Sequence, residues 1–573
     1  MTPAHPESLL WLAVLLPFVG VLAGLMLGES RVRIVAALTI PAGAAVAAGI
    51  ALAWLETGTT LTYLLGGWAP PLGIALRADG IAVAMLAAIA GVVCGIALYA
   101  RADFASPERA TFTYWLLLLA VWGSLNLVFL AGDLFTLYVA LELLTFSGVP
   151  LVCLDGRGET LRAALRYLLF ALAGSLLYLL GAVLLYGAYG TLDIALLAGR
   201  VRPETIAWTA GALMTVGLLA KTALFPLHLW LPPAHAGAPA AASAVLSALV
   251  VKGSWFLTVR LWFDVLGQGI ATPAAGQLLG GLGAAAIVIG SLVALRQQRL
   301  KLLVAYSTIA QIGYLFLMFP LAFDAGGVLA AHGSALDAGT LQAIAHATAK
   351  AGMFMAAGLV YKALGHDRIG ELAGVARALP VTVLAFAIAG LALMGVLPSG
   401  AYLSKKLLLD AAAGSGQWWW SVVLQGGAVF TAGYVVLVLT HALRKPADTT
   451  LQVKPVSMLS QCAALGLATC SLLLAFATLG PVPAHLVKNP LAPSELLPTA
   501  LTFAGGAVLA FAFARAALSR PSGREGFARS WGVAAGAACE RFDERLRAWP
   551  VATLALLLLA AAFAALFAGA VSA

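Results

Sequence analysis

Six ionisable residues lie inside or beside long apolar stretches: Glu142, Lys221, Lys252, His346, Lys350 and Lys405. A charge at the centre of a bilayer costs about 2.5–3.5 kcal/mol even on lenient insertion scales, so each needs a reason to be there. Only ten of the 33 basic residues are lysine, and none precedes position 221. Surface cations are written as arginine, while lysine is kept for apolar surroundings. A buried lysine can release its proton near neutral pH, whereas arginine effectively cannot. The chemistry is therefore proton transfer. Glu142, in FTLYVALELLTFSGVPLV, can pair with Lys221 and keep both groups ionised; separating them would make the lysine release its proton. A static buried ion pair is the competing reading, but it leaves the further buried lysines unexplained.

The order of these residues suggests a path. Lys221 lies just before Pro226 in LLAKTALFPLHLWLPPAHAGAP, and Lys252 lies in SALVVKGSWF. His346 and Lys350, four apart in AIAHATAKAGMF, share one helix face. Lys405 follows Pro398 in VLPSGAYLSKK, with Lys406 as its solvated neighbour. Snorkelling is the plainer reading for Lys252, and a satisfied buried histidine the plainer one for His346. His228 and His235 flank prolines, where a structural hydrogen bond competes with proton uptake. Lys301 has a surface role or a coupling role. Asp133 is most simply a helix N-cap, with coupling as its alternative.

The elements that must hold these residues are transmembrane helices. The chain has 573 residues, 62% hydrophobic and 10% charged, against about 25% charged in soluble domains. Sixteen apolar runs reach about 20 residues, the length that spans a bilayer. They lie near 8–28, 33–54, 80–100, 111–131, 133–154, 160–187, 205–231, 238–264, 274–295, 301–321, 340–363, 379–408, 418–443, 456–479, 498–518 and 550–571. Pro226 and Pro398 break the seventh and twelfth runs, and discontinuous helices at membrane depth line cavities. Two breaks five helices apart suggest five-helix repeats at 111–264 and 274–443. Residues 1–110 then hold three N-terminal helices and 456–573 the C-terminal ones.

Basic residues concentrate in odd-numbered loops, which places the N-terminus outside and those loops in the cytoplasm. The first run has no basic residue before it, so it reads as a retained helix and not a cleaved signal. Residues 55–79 read as an outside hairpin. Residues 519–549 read as an amphipathic helix, with Phe527, Trp531, Ala534, Ala538, Phe542, Leu546 and Trp549 on its apolar face. It either lies on lipid as an anchor or grips a partner subunit. The five cysteines read as small apolar residues, the histidines lack metal-ligand spacing, and no phosphate-binding loop is present. The glycines at 279–286 read as close helix packing. The net charge of +9 belongs to membrane-flanking loops, and no basic run is interleaved with aromatics as a nucleic-acid groove requires.

These motifs resemble the proton-translocating antiporter-like subunits shared by Mrp-type cation/proton antiporters, respiratory complex I and membrane-bound hydrogenases. The resemblance covers roughly residues 65–445. It rests on GGWAPPLGIALRADGIA, DLFTLYVALELL, the stretch from Lys221 to Lys252, LKLLVAYSTIAQIGY, HATAKAGMF and GVLPSGAYLSK. Arg166, Arg299, Leu397 and Ala401 depart from the family pattern. The resemblance implies an all-α polytopic fold of fourteen core helices in two inverted repeats, followed here by about two more. It also implies a hydrophilic axis at mid-membrane, with Glu142–Lys221 as switching pair and Lys405 as the terminal group, and residence among other membrane subunits.

The function expected is a proton-translocating subunit, most like the D-type component of Mrp antiporters, in a bacterial plasma membrane. Protons move, with Na+ or K+ as the candidate exchanged ion. One alternative is the membrane arm of a complex I-like or hydrogenase-like oxidoreductase. Another is a proton channel energising a soluble partner. No cofactor is expected in this chain.

Overall fold

With so few charged groups, most side chains must be buried against lipid or against other helices, and the backbone must satisfy its own hydrogen bonds. The computed structural model describes residues 6–104, 109–267, 269–324, 326–330, 333–445, 453–476, 493–518 and 527–569. Helices α1 (Ser8–Leu27), α2 (Val32–Thr57), α3 (Gly80–Asp103), α4 (Arg109–Leu130), α5 (Leu134–Gly148) and α6 (Gly158–Tyr189) come first. The interrupted α7 follows, as Thr205–Thr222 and Leu231–Gly237. Next are α8 (Ala240–Val265), α9 (Pro273–Arg296), α10 (Leu300–Phe316) and α11 (Ser334–Leu364). The interrupted α12 comprises Pro380–Leu393 and Gly400–Gly414. The chain ends with α13 (Trp418–Leu443), α14 (Met458–Leu473), α15 (Pro493–Leu518), α16 (Phe527–Leu546) and α17 (Trp549–Ala568). Among the described residues, thirteen helices are long and apolar enough to cross a membrane. The protein is an all-α polytopic membrane protein.

Helices α8, α10 and α11 are almost wholly enclosed, whereas α1, α15 and α17 present most of their surface outwards. Outward side chains such as Met26, Leu38, Leu169 and Leu501 are large and apolar, as a lipid-facing surface requires. Polar residues are instead collected inside: Lys252, His346, Lys350 and Gln311 are all fully buried.

Glycine sets the closest helix approaches. A Cβ on Gly217 of α7 would sit 2.3 Å from the Gly174 carbonyl oxygen of α6. Between α9 and α10, a Cβ on Gly313 would sit 2.3 Å from the Gly283 oxygen. Gly280 likewise faces Pro320 and Trp420. Small residues let transmembrane backbones approach where no hydrophobic driving force exists between helices and lipid.

Both breaks begin before their prolines. The first part of α7 stops at Thr222, where Ala223 turns left-handed (φ 59°, ψ 36°). A non-glycine residue there costs about 1–2 kcal/mol, a strain often kept at working sites. The first part of α12 stops at Leu393, with Gly395 left-handed at φ 65°. Its second part restarts on Ser399, whose Oγ accepts from the Tyr402 amide at 3.1 Å.

The loops gather at two ends. At one, β1 (Leu61–Leu64) and β2 (Ala75–Ala78) form an antiparallel hairpin, which starts later than expected because residues 55–57 complete α2. Arg77 pairs with Asp193 at 2.9 Å, and Arg260 makes two 2.6 Å hydrogen bonds to Asp79 and one of 3.1 Å to Asp264. Arg260→Ala is expected to take the guanidinium away from both carboxylates and to destabilise the protein by about 1–3 kcal/mol, a value discounted for their partial exposure. A thermal melt of the detergent-purified protein that matched wild type would contradict this. The odd-numbered loops lie at the other end, with Arg157, Arg299 and Lys362 around one cavity.

Helix α16 occupies the later part of the predicted amphipathic segment. Residues 519–526 and the even-loop Lys488 lie outside the described residues, as do the side chains of Phe527, Arg529 and Trp531. Its described contacts add a third feature to the two sequence expectations. It docks onto its own chain, with Arg296 Nε donating to Glu540 Oε2 at 2.9 Å and Asp543 buried to 1% exposure. A lipid anchor would turn its charges to water; here one carboxylate is turned inwards.

Candidate functional site

The first cluster forms where α5, α6 and α7 meet. Lys221 Nζ lies 3.0 Å from Glu142 Oε1 and 3.5 Å from the Leu141 carbonyl, and it also donates to Ser175 Oγ. Lys221 is on the last turn of α7 before the break, and the Gly174–Gly217 contact holds α6 close enough for Ser175 to reach it. Trp230, from beyond the break, donates its Nε1 to the Ala220 carbonyl at 3.1 Å, joining the Ala223 amide that caps the helix on the same oxygen at 3.3 Å. Pro226 lies within this irregular segment and supports the interruption.

The second cluster is centred on α8 and α11. Lys252 Nζ donates to the Ser247 carbonyl at 2.9 Å and contacts His346 Nδ1. That carbonyl belongs to a stretch of π-helix, Leu246–Val250, just before Lys252; such wide turns are frequent at functional sites. Among the described residues, His346 Nε2 has no hydrogen-bond partner. Lys350, one turn further along α11, donates to Ser307 Oγ and, at 3.2 Å, to the Val304 carbonyl of α10. Among the described residues, neither Lys252 nor Lys350 has a carboxylate within ion-pairing distance. His346 and Lys350 share a helix face as expected, but the partner of His346 is Lys252.

Hydroxyl and amide groups that sequence reasoning passed over connect these clusters. Thr222 donates to Ser254 Oγ at 2.9 Å, linking α7 to α8. Ser247 and Thr308 share a 3.0 Å hydrogen bond between α8 and α10. Gln311 donates to Thr431 and accepts from Gln342, each at 3.3 Å. The Tyr434 hydroxyl faces Thr431, Gln311 and Ser307 without closing a hydrogen bond. Gln342 and Tyr314 then line the small cavity beside Lys405, below the Pro398 break. Such residues leave little trace in a sequence because serine and threonine are common inside apolar helices, where they bond to their own backbone.

The remaining candidates separate. Lys301 is buried, not at the surface: its Nζ donates to the Ala238 carbonyl at 2.5 Å and lines a cavity of about 590 Å³ with Arg157, Arg299 and Asp155. His235 is fully buried and stacked on Phe354, with neither ring nitrogen partnered among the described residues, and Lys301 and Lys350 are charges that act on it. Asp133 caps α5, accepting from the Thr136 amide at 2.8 Å. Lys406 turns away from Lys405, over the Tyr402 ring. His228 Nε2 lies 2.7 Å from Asp543 Oδ1, a partner 315 residues away that the sequence reading did not single out.

Comparison with known proteins places the chain in a family. Residues 131–431 match the family described as NADH:quinone oxidoreductase/Mrp antiporter, transmembrane. The chain is 34% identical to an N-type NADH-quinone oxidoreductase subunit from Desulforudis audaxviator, over 76% of this chain and 86% of that protein. It is 28% identical to a D-type Na(+)/H(+) antiporter subunit from Alkalihalophilus pseudofirmus, over 71% and 81%. Among solved structures, the Mrp complex from a Dietzia species matches with a TM-score of 0.73, 22% identity and coverage of 89% and 98%. The archaeal membrane-bound sulfane sulfur reductase, a respiratory membrane complex, matches with a TM-score of 0.73, 26% identity and coverage of 88% and 99%. On its sequence and its fold together, this chain belongs to the NADH:quinone oxidoreductase/Mrp antiporter transmembrane family.

Proposed function

We propose that this chain is a proton-translocating subunit of a multi-subunit membrane complex, most like the D-type component of an Mrp antiporter. The observation that carries the reading is the buried series of titratable and hydrogen-bonding groups running between the two breaks. It passes from Glu142, Lys221 and Ser175 through Thr222 and Ser254 to Lys252 and His346. From there Ser247, Thr308, Ser307 and Lys350 lead to Gln311, Gln342 and Lys405. Water and small rotations of these side chains would close the remaining gaps.

In this mechanism, pairing and unpairing of Glu142 with Lys221 drives proton movement along the series, because a lysine that loses its counter-charge in a dry site gives up its proton. Segments 111–264 and 274–443 act as two inverted halves, one around each break. Lys301, His235 and the cavity beside them supply protons from the odd-loop side. That side faces the cytoplasm, the N-terminus lies outside, and the membrane is the bacterial plasma membrane. Lys405 hands its proton outwards or to a neighbouring subunit, with Na+ or K+ as the counter-ion in an antiporter.

Lys221→Ala is expected to abolish proton translocation by the native complex in proteoliposomes, followed with a pH-sensitive dye, while the complex purifies with all its subunits. Translocation at the wild-type rate would sink the reading. A second reading, the membrane arm of a redox-driven pump, is favoured by the 34% identity to an NADH-quinone oxidoreductase subunit. Identifying the subunits that co-purify separates the two: iron–sulfur or hydrogenase-like subunits favour the second reading, and small Mrp-type subunits favour the first.

A further inference from the structure

We propose that α16 carries a proton-handling residue pair into the α7 break: Asp543 positions His228 as a proton acceptor on the odd-loop side of the membrane. This rests on the proton-translocating reading above and adds to it a component from the C-terminal helices, outside the two halves.

Four observations carry the inference. First, Asp543 and His228 are 1% exposed, yet they come from segments 315 residues apart. An isolated carboxylate on an amphipathic helix would face water; this one is inserted into the protein. Second, the donors around Asp543 define its state. His228 Nε2 lies 2.7 Å from Oδ1, while the Tyr306 hydroxyl and Arg547 Nε each donate to Oδ2 at 2.8 Å. Burial alone would raise the Asp543 pKa, but the His228, Arg547 and Tyr306 interactions outweigh it and hold the carboxyl below its ordinary value. The group is a carboxylate.

Third, a carboxylate facing Nε2 requires the hydrogen to be on Nε2, since two lone pairs would repel. The neutral ring then presents a lone pair at Nδ1. That atom is buried and has no hydrogen-bond partner among the described residues. A carboxylate that fixes the tautomer and steadies the cation formed on the other nitrogen is a general way to make imidazole a proton acceptor. Fourth, the placement is specific. His228 lies two residues after Pro226, and its ring stacks on Phe225, which in turn meets Phe542 of α16. Apolar rings thus roof a charged pair, which strengthens its electrostatics.

The step balances simply. A proton from water on the odd-loop side adds to Nδ1, and neutral imidazole becomes imidazolium. Asp543 stays ionised throughout. Loss of the Nδ1 proton towards the Glu142–Lys221 pair restores the neutral ring. The other described charged groups facing this site are Glu540 of α16, Arg547 just beyond its end, and Arg296 of α9, which pairs with Glu540. The remaining polar group is Tyr306 of α10.

The test uses the native complex in proteoliposomes, with proton translocation measured from pH 5.5 to 9. Asp543→Asn is expected to lower the rate at pH 8 about tenfold. It should also move the alkaline limb of the profile to lower pH by about one unit, the shift expected when a nearby opposite charge is removed. Asp543→Glu should restore most of both. Glu540→Gln removes the ion pair between α16 and α9 and leaves the His228 contact in place; it should keep the wild-type profile. A wild-type profile in Asp543→Asn overturns the proposal, as does a Glu540→Gln profile shifted like that of Asp543→Asn, which would make helix docking the cause. If Asp543→Asn behaves as wild type while Lys221→Ala abolishes transport, this inference fails and the translocation reading stands. If Lys221→Ala transports normally, the underlying reading fails.

Discussion

Glu142→Gln is expected to lower proton translocation by about a hundredfold or more, with assembly unchanged. Glutamine is nearly isosteric with glutamate and can still accept a hydrogen bond, so the helix packing around it survives. What it removes is the charge 3.0 Å from Lys221 Nζ. Removing one partner of a buried ion pair costs about 3–5 kcal/mol, because the other charge is left in a poor solvent. At about 1.4 kcal/mol per factor of ten, that corresponds to a loss of at least two orders of magnitude in any step needing the charged lysine. Ser175 and the Leu141 carbonyl remain beside Lys221, but neither carries a charge. Dye-monitored translocation in proteoliposomes checks the rate, and the subunit composition of the purified complex checks assembly. A rate within threefold of wild type would remove Glu142 from the mechanism.

Gly217→Val tests the scaffold that makes this pair possible. A Cβ at Gly217 would sit 2.3 Å from the Gly174 carbonyl oxygen and 3.1 Å from the Tyr178 amide nitrogen. Both obstacles are backbone, so no side chain can swing aside, and α6 and α7 must separate. Overpacking of this kind costs about 1–3 kcal/mol and sometimes more. Separation also carries Ser175 away from Lys221. The expected outcome is a thermal transition lowered by several degrees and translocation lowered at least about tenfold in the protein that still assembles. Gly187→Ala on the same helix α6 is the control, since a Cβ there meets nothing within 4 Å. A Gly217→Val protein as stable and active as wild type would show that the close approach is dispensable.

How far the sequence could be read depended on the kind of signal. Membrane helices announce themselves through composition and length, because lipid leaves no other way to satisfy a backbone. Each of the sixteen runs accordingly has helix over it, interrupted at 223–230 and 394–399 in the seventh and twelfth. The breaks were visible as prolines, but their starting points were not. Where a helix stops depends on which acceptors find donors, and the Ala220 carbonyl finds Trp230, ten residues on. Glu142 and Lys221 stood out because an isolated carboxylate and an isolated lysine in apolar runs require each other.

Other features had no such signature. Ser175, Thr222, Ser254, Thr308 and Gln342 are ordinary residues whose importance lies in what stands opposite them. The surface and coupling readings of Lys301 stayed open along the sequence for the same reason. Near the end of a helix, burial depends on the neighbouring loop, and here Ala238 and the α7–α8 connection cover it. Asp543 of α16 likewise carries no mark in the sequence that would set it apart from its polar neighbours.

The identities and spacing of the ionisable residues, their confinement to apolar helices and the two interruptions were determined along the chain, because each follows from the cost of placing charge or free backbone in lipid. Which group faces which was decided only by packing. The Lys252–His346 contact, the hydroxyl links and the Asp543–His228 pair join segments from 32 to 315 residues apart. Their geometry depends on how closely helices such as α6 and α7 approach, and that distance is set by glycines whose role appears only when two backbones meet.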